Sequence, residues 1–188
     1  KRAPEVSFSK RRADCAPPLI ADVRCHSDAL VADFIETSRL RLRPAVAGDV
    51  SAIALAAEAK NTDRILALMA NQAQWWVEHG YGLWAILLRS DDMLVGWCGL
   101  RPSTDASQPE LIFGLAPAAR GKGLATEAAQ AVIAFAMALP HVSSIWAATS
   151  VDNAASEAVM KRLGMVLEST GLLDGVESHV YRRPPNGI

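Results

Sequence analysis

Ala119-Arg120-Gly121-Lys122-Gly123-Leu124-Ala125-Thr126 is the stretch on which the reading of this chain turns. Before it, residues 110–116 form a short apolar strand pattern ended by Pro117. After it, residues 124–139 place Leu124, Ala128, Val132, Phe135 and Leu139 on one helical stripe, and Pro140 stops the run. Strand, glycine loop and helix N-terminus together make an arrangement that holds a phosphate. The orphan N–H groups of a first helical turn point outward, and the helix dipole adds about half a positive charge there. Gly121 and Gly123 let the main chain approach a ligand with no Cβ in the way. Arg120 and Lys122 add charge near the phosphates, and Thr126 offers a hydroxyl donor.

Spacing excludes two common nucleotide loops. A P-loop needs Gly-Lys followed by Ser or Thr, whereas Gly121-Lys122 is followed by Gly123 and Leu124. A dinucleotide fingerprint needs a third Gly or Ala where Thr126 stands. Taken alone, the loop also stays readable as a purely structural turn, because short glycine motifs recur by chance.

Working outward, Leu83–Leu88 and residues 93–100 are apolar runs separated by Ser90-Asp91-Asp92, a hairpin pattern. Residues 62–78 read as a helix with Ile65, Leu68 and Met69 on one side, broken by His79-Gly80-Tyr81-Gly82. Asp49 opens a shorter helical pattern through Ile53, Leu55 and Ala56. Order is expected to begin at Phe34, where Leu40 and Leu42 alternate with Arg39, Arg41 and Arg43 in a half-buried strand stopped by Pro44. Beyond the loop, residues 145–149 make a strand, and 153–163 a helix closed by Gly164. Residues 165–171 and 178–182 finish as two strands around Asp174-Gly175. The order β-α-α-β-β-β-α-β-α-β-β predicts an α/β chain, a mixed sheet with helices on both faces.

The 188 residues leave room for one domain plus an appendage, and a hydrophobic content of 51% excludes global disorder. Residues 1–33 mix Arg, Asp, Pro and Cys without a period and form an expected N-terminal arm, mobile or loosely packed, ahead of a domain over 34–184. The arm's basic cluster invites a nucleic-acid reading. Interspersed Glu5, Asp14 and Asp22 favour a solvated tail, and a net charge of −1 gives no footprint for nucleic acid. No run reaches the roughly 20 apolar residues that cross a bilayer, and no apolar segment follows the first basic residues as a secretory signal requires. Cys15, Cys25 and Cys98 are an odd count at spacings unlike a disulfide or zinc framework. Those thiols suit a reducing, cytoplasmic compartment, and no metal is expected.

The segment Arg120, Gly123, Ala125 matches Arg/Gln-x-x-Gly-x-Gly/Ala and resembles the acetyl-CoA signature of the GNAT superfamily of N-acetyltransferases. Thr126-Glu127-Ala128 resembles that family's helix start. Asn153-x-x-Ser156, ending in Lys161-Arg162-Leu163-Gly164-Met165, resembles its second signature. Residues 34–44 (FIETSRLRLRP) resemble its first strand, and Gly82-Leu83-Trp84-Ala85 with Gly96-Trp97-Cys98-Gly99-Leu100 its central hairpin. These segments span residues 34–183 in the family's order and most resemble the ribosomal-protein N-terminal acetyltransferase branch.

The resemblance implies a mostly antiparallel sheet splayed between its two central strands. It implies that main-chain N–H groups of Gly121, Lys122, Gly123, Leu124 and Ala125 hold the CoA pyrophosphate. Pantetheine would lie along Phe113 and Leu115, with a backbone N–H near Leu115 polarising the thioester carbonyl. The acceptor must be a neutral amine, and an ordinary lysine-like amine titrates near 10.4, so a base or a dry site has to help. Glu110 is nominated as that base, with a solvated edge-strand Glu as the plainer alternative. Many relatives carry a Tyr on the second helix to protonate the leaving thiolate; Met160 stands there, and Ser156 one turn earlier takes the nomination. Asn153 bonds the pantetheine amide or simply caps its helix. His79, Tyr81 and Trp84 are acceptor-pocket candidates, against the alternative that the Trp is core. His179 and Tyr181 alternate along the last strand and share a face. Ile112-Phe113 replaces the family's usual Gly-Tyr, a departure on the acceptor side. The partner is then an amine-bearing small molecule or a protein N-terminus, with the chain a monomer or homodimer. A CoA-binding regulatory domain without turnover, and a binding module unrelated to CoA, are the alternatives from other classes.

Overall fold

In the computed structural model, which describes residues 7–10, 32–56 and 62–183, the chain forms nine strands and four α-helices. They are β1 (Ser7–Lys10), β2 (Ala32–Glu36), β3 (Leu40–Pro44), α1 (Val50–Ala56), α2 (Thr62–His79), β4 (Leu83–Leu88) and β5 (Leu94–Arg101). There follow β6 (Glu110–Leu115), α3 (Leu124–Met137), β7 (Ile145–Ser150), α4 (Ala154–Arg162), β8 (Val166–Leu173) and β9 (Val176–Arg183). The strands join one sheet in the order β1-β2-β3-β4-β5-β6-β7-β9-β8. Every neighbouring pair is antiparallel except β6 and β7.

β4 is an uninterrupted apolar run because both of its faces are covered. Trp84 and Ile86 pack on one side with Ala128, Val132 and Phe135 of α3. Leu83 and Ala85 pack on the other with Ile53 of α1 and Leu68 and Met69 of α2. The α/β class and the two helical layers expected from the element order are therefore present. Cys98 lies inside this core, where burial pushes its thiol up and leaves it unreactive. Cys15, Cys25 and most of the basic cluster lie outside the described residues, as do the side chains of Leu55 and Ile65.

Two local features differ from the expectation. Residues 34–44 are not one strand but part of a hairpin, β2 and β3, turning at Thr37-Ser38-Arg39. Thr37 N donates to Leu40 O at 2.9 Å, and Leu40 N donates to Thr37 Oγ1 at 3.0 Å, so a side chain closes the turn without Gly or Pro. Ser7–Lys10, within the expected arm, pairs with β2 as an edge strand. At the other end, Asp174 and Gly175 have φ of 51° and 79°, the left-handed pair of a two-residue hairpin. Among the described residues no helix is long and apolar enough to cross a membrane.

Candidate active site

β6 and β7 run parallel yet share a single pair, Glu110 with Trp146. Trp146 N donates to Pro109 O at 3.2 Å and Trp146 Nε1 to Gln108 O at 3.0 Å, so the two strands are fastened at their starts. Beyond that point no further pair joins them, and a fork opens toward their C-terminal ends. On its other side β6 is fully zipped to β5, from Arg101 with Glu110 to Gly96 with Leu115. Ala116 N donates to Val95 O at 2.9 Å. Antiparallel ladders alternate, so this bond fixes which groups face which way. The main-chain groups of Glu110, Ile112 and Gly114 point at β5, while those of Leu111, Phe113 and Leu115 point into the fork.

The glycine loop caps the open end of β6. Pro117–Ala119 is a tight turn, with Ala119 N donating to Ala116 O at 2.8 Å. Arg120 Nε donates back to Leu115 O at 2.9 Å, tying the loop to the last residue of the strand. Gly121 and Gly123 have φ of +73° and +75°, conformations that cost an L-residue roughly 1–2 kcal/mol. A Cβ built on Gly121 would meet nothing within 4 Å, so the space above it is open and its backbone angle is what demands glycine. Gly123 is the N-cap of α3 and offers no side chain, so no cap hydrogen bond covers the first turn. The N–H groups there are presented as a phosphate requires. Beside the loop, toward the β4–β5 turn, lies a cavity of about 830 Å³ lined by Arg39, Met93, Val95, Ala118, Lys122 and Leu124 among others.

Glu127, in the first turn of α3, fastens this loop to the rest of the sheet. Its Oε1 accepts from Thr37 Oγ1 at 2.6 Å, Ser38 Oγ at 3.0 Å and Arg39 N at 2.9 Å. Its Oε2 accepts from Arg39 Nε at 2.6 Å, and Arg39 Nη1 continues to Lys122 O at 2.8 Å. Burial pushes the Glu127 carboxyl up, but the hydrogen bonds from Thr37, Arg39 and Ser38 outweigh it and hold it below the ordinary carboxylate range. The β2–β3 turn is thus bolted onto the glycine loop through one ionised side chain.

Glu110 sits where the fork begins and is only 2% exposed. Arg101, its direct cross-strand partner, donates from Nε to Oε2 at 2.8 Å and from Nη2 to the same oxygen. Glu110 is therefore a buried, ion-paired carboxylate rather than a solvated edge residue, and neither Arg101 bond falls on Oε1.

Comparison with known proteins shows what this chain is similar to. A family model described as acetyltransferase (GNAT) domain matches residues 39–166. The chain belongs to the GNAT acetyltransferase family. Its fold is similar to a GnaT-family acetyltransferase from Bordetella pertussis at 22% identity and a TM-score of 0.70, covering 80% of this chain and 98% of that one. An acetyltransferase from Agrobacterium tumefaciens str. C58 is similar at 23% identity and a TM-score of 0.70, covering 90% and 99%. The ribosomal branch appears as well: RimL, a ribosomal L7/L12 alpha-N-protein acetyltransferase in complex with coenzyme A, is similar at 18% identity and a TM-score of 0.65, covering 78% and 94%.

In this GNAT domain the other nominated residues fall in three places. Ser156 is half-buried in the first turn of α4, and its N–H donates to Asn153 Oδ1 at 3.1 Å. Asn153 is the N-cap of that helix, so its side-chain oxygen does the capping work. Met160 is buried. Thr126 Oγ1 is buried with no partner among the described residues, turned inward rather than offered to the loop surface. Trp84 is 0% exposed in the core, edge-on to Trp76 at 4.9 Å and to Phe135 at 5.4 Å between ring centroids, so it packs and does not line a pocket. His79 and Tyr81 do meet, stacked at 5.4 Å, and His141 joins Tyr81 at 6.2 Å. Tyr81 OH donates to Ala106 O at 2.9 Å, and burial, with Asp105 adding to it, pushes the phenol up to about 12, so it stays protonated. His179 and Tyr181 share a face as expected, and Tyr181 OH donates to Glu157 Oε1 at 2.7 Å.

Sequence reasoning missed Arg101, Arg39 and the anchoring role of Glu127. A Glu in a first helical turn was a signal for helix stabilisation, but its partners lie 88 to 90 residues away. Arg101 becomes visible only once the β5–β6 register is known.

Proposed function

We propose that the protein moves an acetyl group from acetyl-CoA to a primary amine, a protein N-terminus or a small-molecule amine, by direct attack. The observation that supports this most is the fork between β6 and β7, fastened at Glu110 with Trp146 and open above it. An extended pantetheine arm can take the place of the missing strand pairs, bonding the main chain of Phe113 and Leu115. The N–H groups from Gly121 to Ala125 hold the diphosphate, with Arg120 and Lys122 contributing charge. Asn153 reaches the pantetheine amide only by leaving its cap, so its binding role is secondary in this reading.

The amine nitrogen bonds to the thioester carbon as the C–S bond breaks. Leu115 N–H stabilises the charge that develops on the carbonyl oxygen. Glu110 takes the proton the nitrogen loses, through Oε1 and directly or by way of water, while Arg101 holds the carboxylate at the fork. Ser156 donates to the departing thiolate. His79 contributes to the acceptor wall, backed by Tyr81, which is itself fully buried. The supply of acetyl-CoA and the unpaired thiol of Cys98 fit a cytoplasmic site of action.

The test is a thiol-release assay with acetyl-CoA against peptides bearing free N-termini and a panel of polyamines, amino acids and aminoglycoside-like amines. Release that depends on one acceptor class is the expected result. CoA binding with no release across the whole panel would overturn the enzymatic reading and leave a ligand-binding domain.

A further inference from the structure

β8 closes the sheet, and among the described residues only one of its edges is paired, with β9. No other described strand pairs with its second edge, eight residues long, VLESTGLL. Natural edges of this length are guarded by Pro, by Lys, by inward charges or by β-bulges, because they template pairing with another chain; β8 has one bulge, near its start, which leaves Ser169 to Leu173 in regular register. β8 has no Pro, Lys or Arg. Its one charge, Glu168, is engaged by Arg182 Nε at 2.7 Å. The strand instead exposes apolar surface, with Val166, Leu167 and Leu172 at 61%, 48% and 78% exposure.

The register against β9 shows what this edge fits. Leu167 opposes Tyr181 and Ser169 opposes Val180, so Glu168 is bulged out of the ladder. With Glu168 removed, the ladder runs Val166, Leu167, Ser169, Thr170, Gly171, Leu172, Leu173. Leu167, Thr170 and Leu172 lie on the face shared with Tyr181, His179 and Glu177; Val166, Ser169, Gly171 and Leu173 lie on the opposite face. Thr170 is the midpoint. A two-fold axis through it, perpendicular to the sheet, sets Val166 against Leu173, Leu167 against Leu172, and Ser169 against Gly171 of a second copy. Every pair joins residues of one face, apolar with apolar and small with small, and Glu168 meets no like charge. Moving the centre to Ser169 would set Val166 against Gly171 and Leu167 against Thr170, and would leave Leu172 and Leu173 overhanging.

We propose that β8 pairs antiparallel with β8 of a second copy about a two-fold at Thr170, joining the two sheets edge to edge into an isologous dimer. The fork and the glycine loop lie on β6 and α3, away from this edge, so each copy keeps its own site.

Sedimentation of the full chain across micromolar concentrations is expected to show a dimer. Thr170→Glu, which sets two carboxylates face to face at the axis, is expected to give a monomer with an unchanged circular dichroism spectrum. In a background carrying Cys15→Ser and Cys25→Ser, Thr170→Cys is expected to form a covalent dimer under mild oxidation. Directly opposed residues lie about 4.5–5.5 Å apart between Cα atoms, inside the disulfide range. Ser169→Cys faces Gly171 and is expected to cross-link more slowly. A monomeric wild-type chain, a dimer that survives Thr170→Glu, or faster cross-linking at 169 than at 170 would each overturn the proposal, the first leaving this edge to a peptide partner.

Discussion

Glu127→Ala removes, in one step, the acceptor of the hydrogen bonds from Thr37, Ser38 and Arg39 that hold the β2–β3 turn against α3. The contacts are not equal. Thr37 is buried, and a hydrogen bond to a charged group contributes about 1.5–3 kcal/mol in such a setting. Arg39 is half exposed while the Glu127 carboxylate is 11% exposed, so their ion pair is screened and contributes about 0–1 kcal/mol. The expected total is about 2–3 kcal/mol, which for a chain of this size is a fall in Tm of about 4–12 °C. Because Arg39 also holds Lys122 O, the loop should loosen, and CoA affinity should fall by about tenfold, or ~1.4 kcal/mol. The pH dependence separates charge from shape. The Glu127 carboxyl lies below its ordinary value in the folded chain, so its contribution is complete above that ordinary value, about 4.3, and fades as pH falls through the folded one. The Tm gap between wild type and Glu127→Gln should therefore be constant from about pH 6 to 8 and narrow below about pH 4. Thermal melts at several pH values and calorimetric titration with CoA make the measurement. A Glu127→Ala variant that melts within about 1 °C of wild type at neutral pH would refute the reasoning, since the discounted sum already requires more.

Four further outcomes follow from the site. Gly123→Glu should gain no thermal stability from CoA, whereas the wild type at 100 times Kd should gain about 2.7 kcal/mol; a normal ligand shift would remove the loop from the binding site. Glu110→Gln should lower kcat by about 10²–10⁴ with CoA affinity unchanged. Arg101→Ala should instead destabilise the fold by about 3–5 kcal/mol by leaving a buried carboxylate unpaired, seen as a lower urea midpoint. Ser156→Ala should lower kcat on the order of tenfold, the loss of one hydrogen bond to a charged leaving group, with CoA affinity retained in a direct titration.

The parts of this molecule that were legible in its sequence are those decided by near neighbours. α3 announces itself by its apolar stripe and by Pro140, and the loop by two glycines that take positive φ. The Asp174-Gly175 turn is equally local. The β2–β3 hairpin was hidden because its turn, Thr37-Ser38-Arg39, carries no turn-forming Gly, Pro or Asn and is held by a carboxylate from α3. The pairing of Glu110 with Arg101 is a consequence of register, which no period within one strand encodes. Asn153 and Trp84 show the opposite lesson: their plain roles, cap and core, were readable from position and hydrophobicity, and those are the roles the structure gives them.

The most direct test of the account is a crystal structure of the protein with CoA bound. The account predicts the diphosphate on the main-chain amides from Gly121 to Ala125 and the pantetheine running between β6 and β7 alongside Phe113 and Leu115. CoA lodged elsewhere, with β6 and β7 hydrogen-bonded together along their lengths, would contradict it.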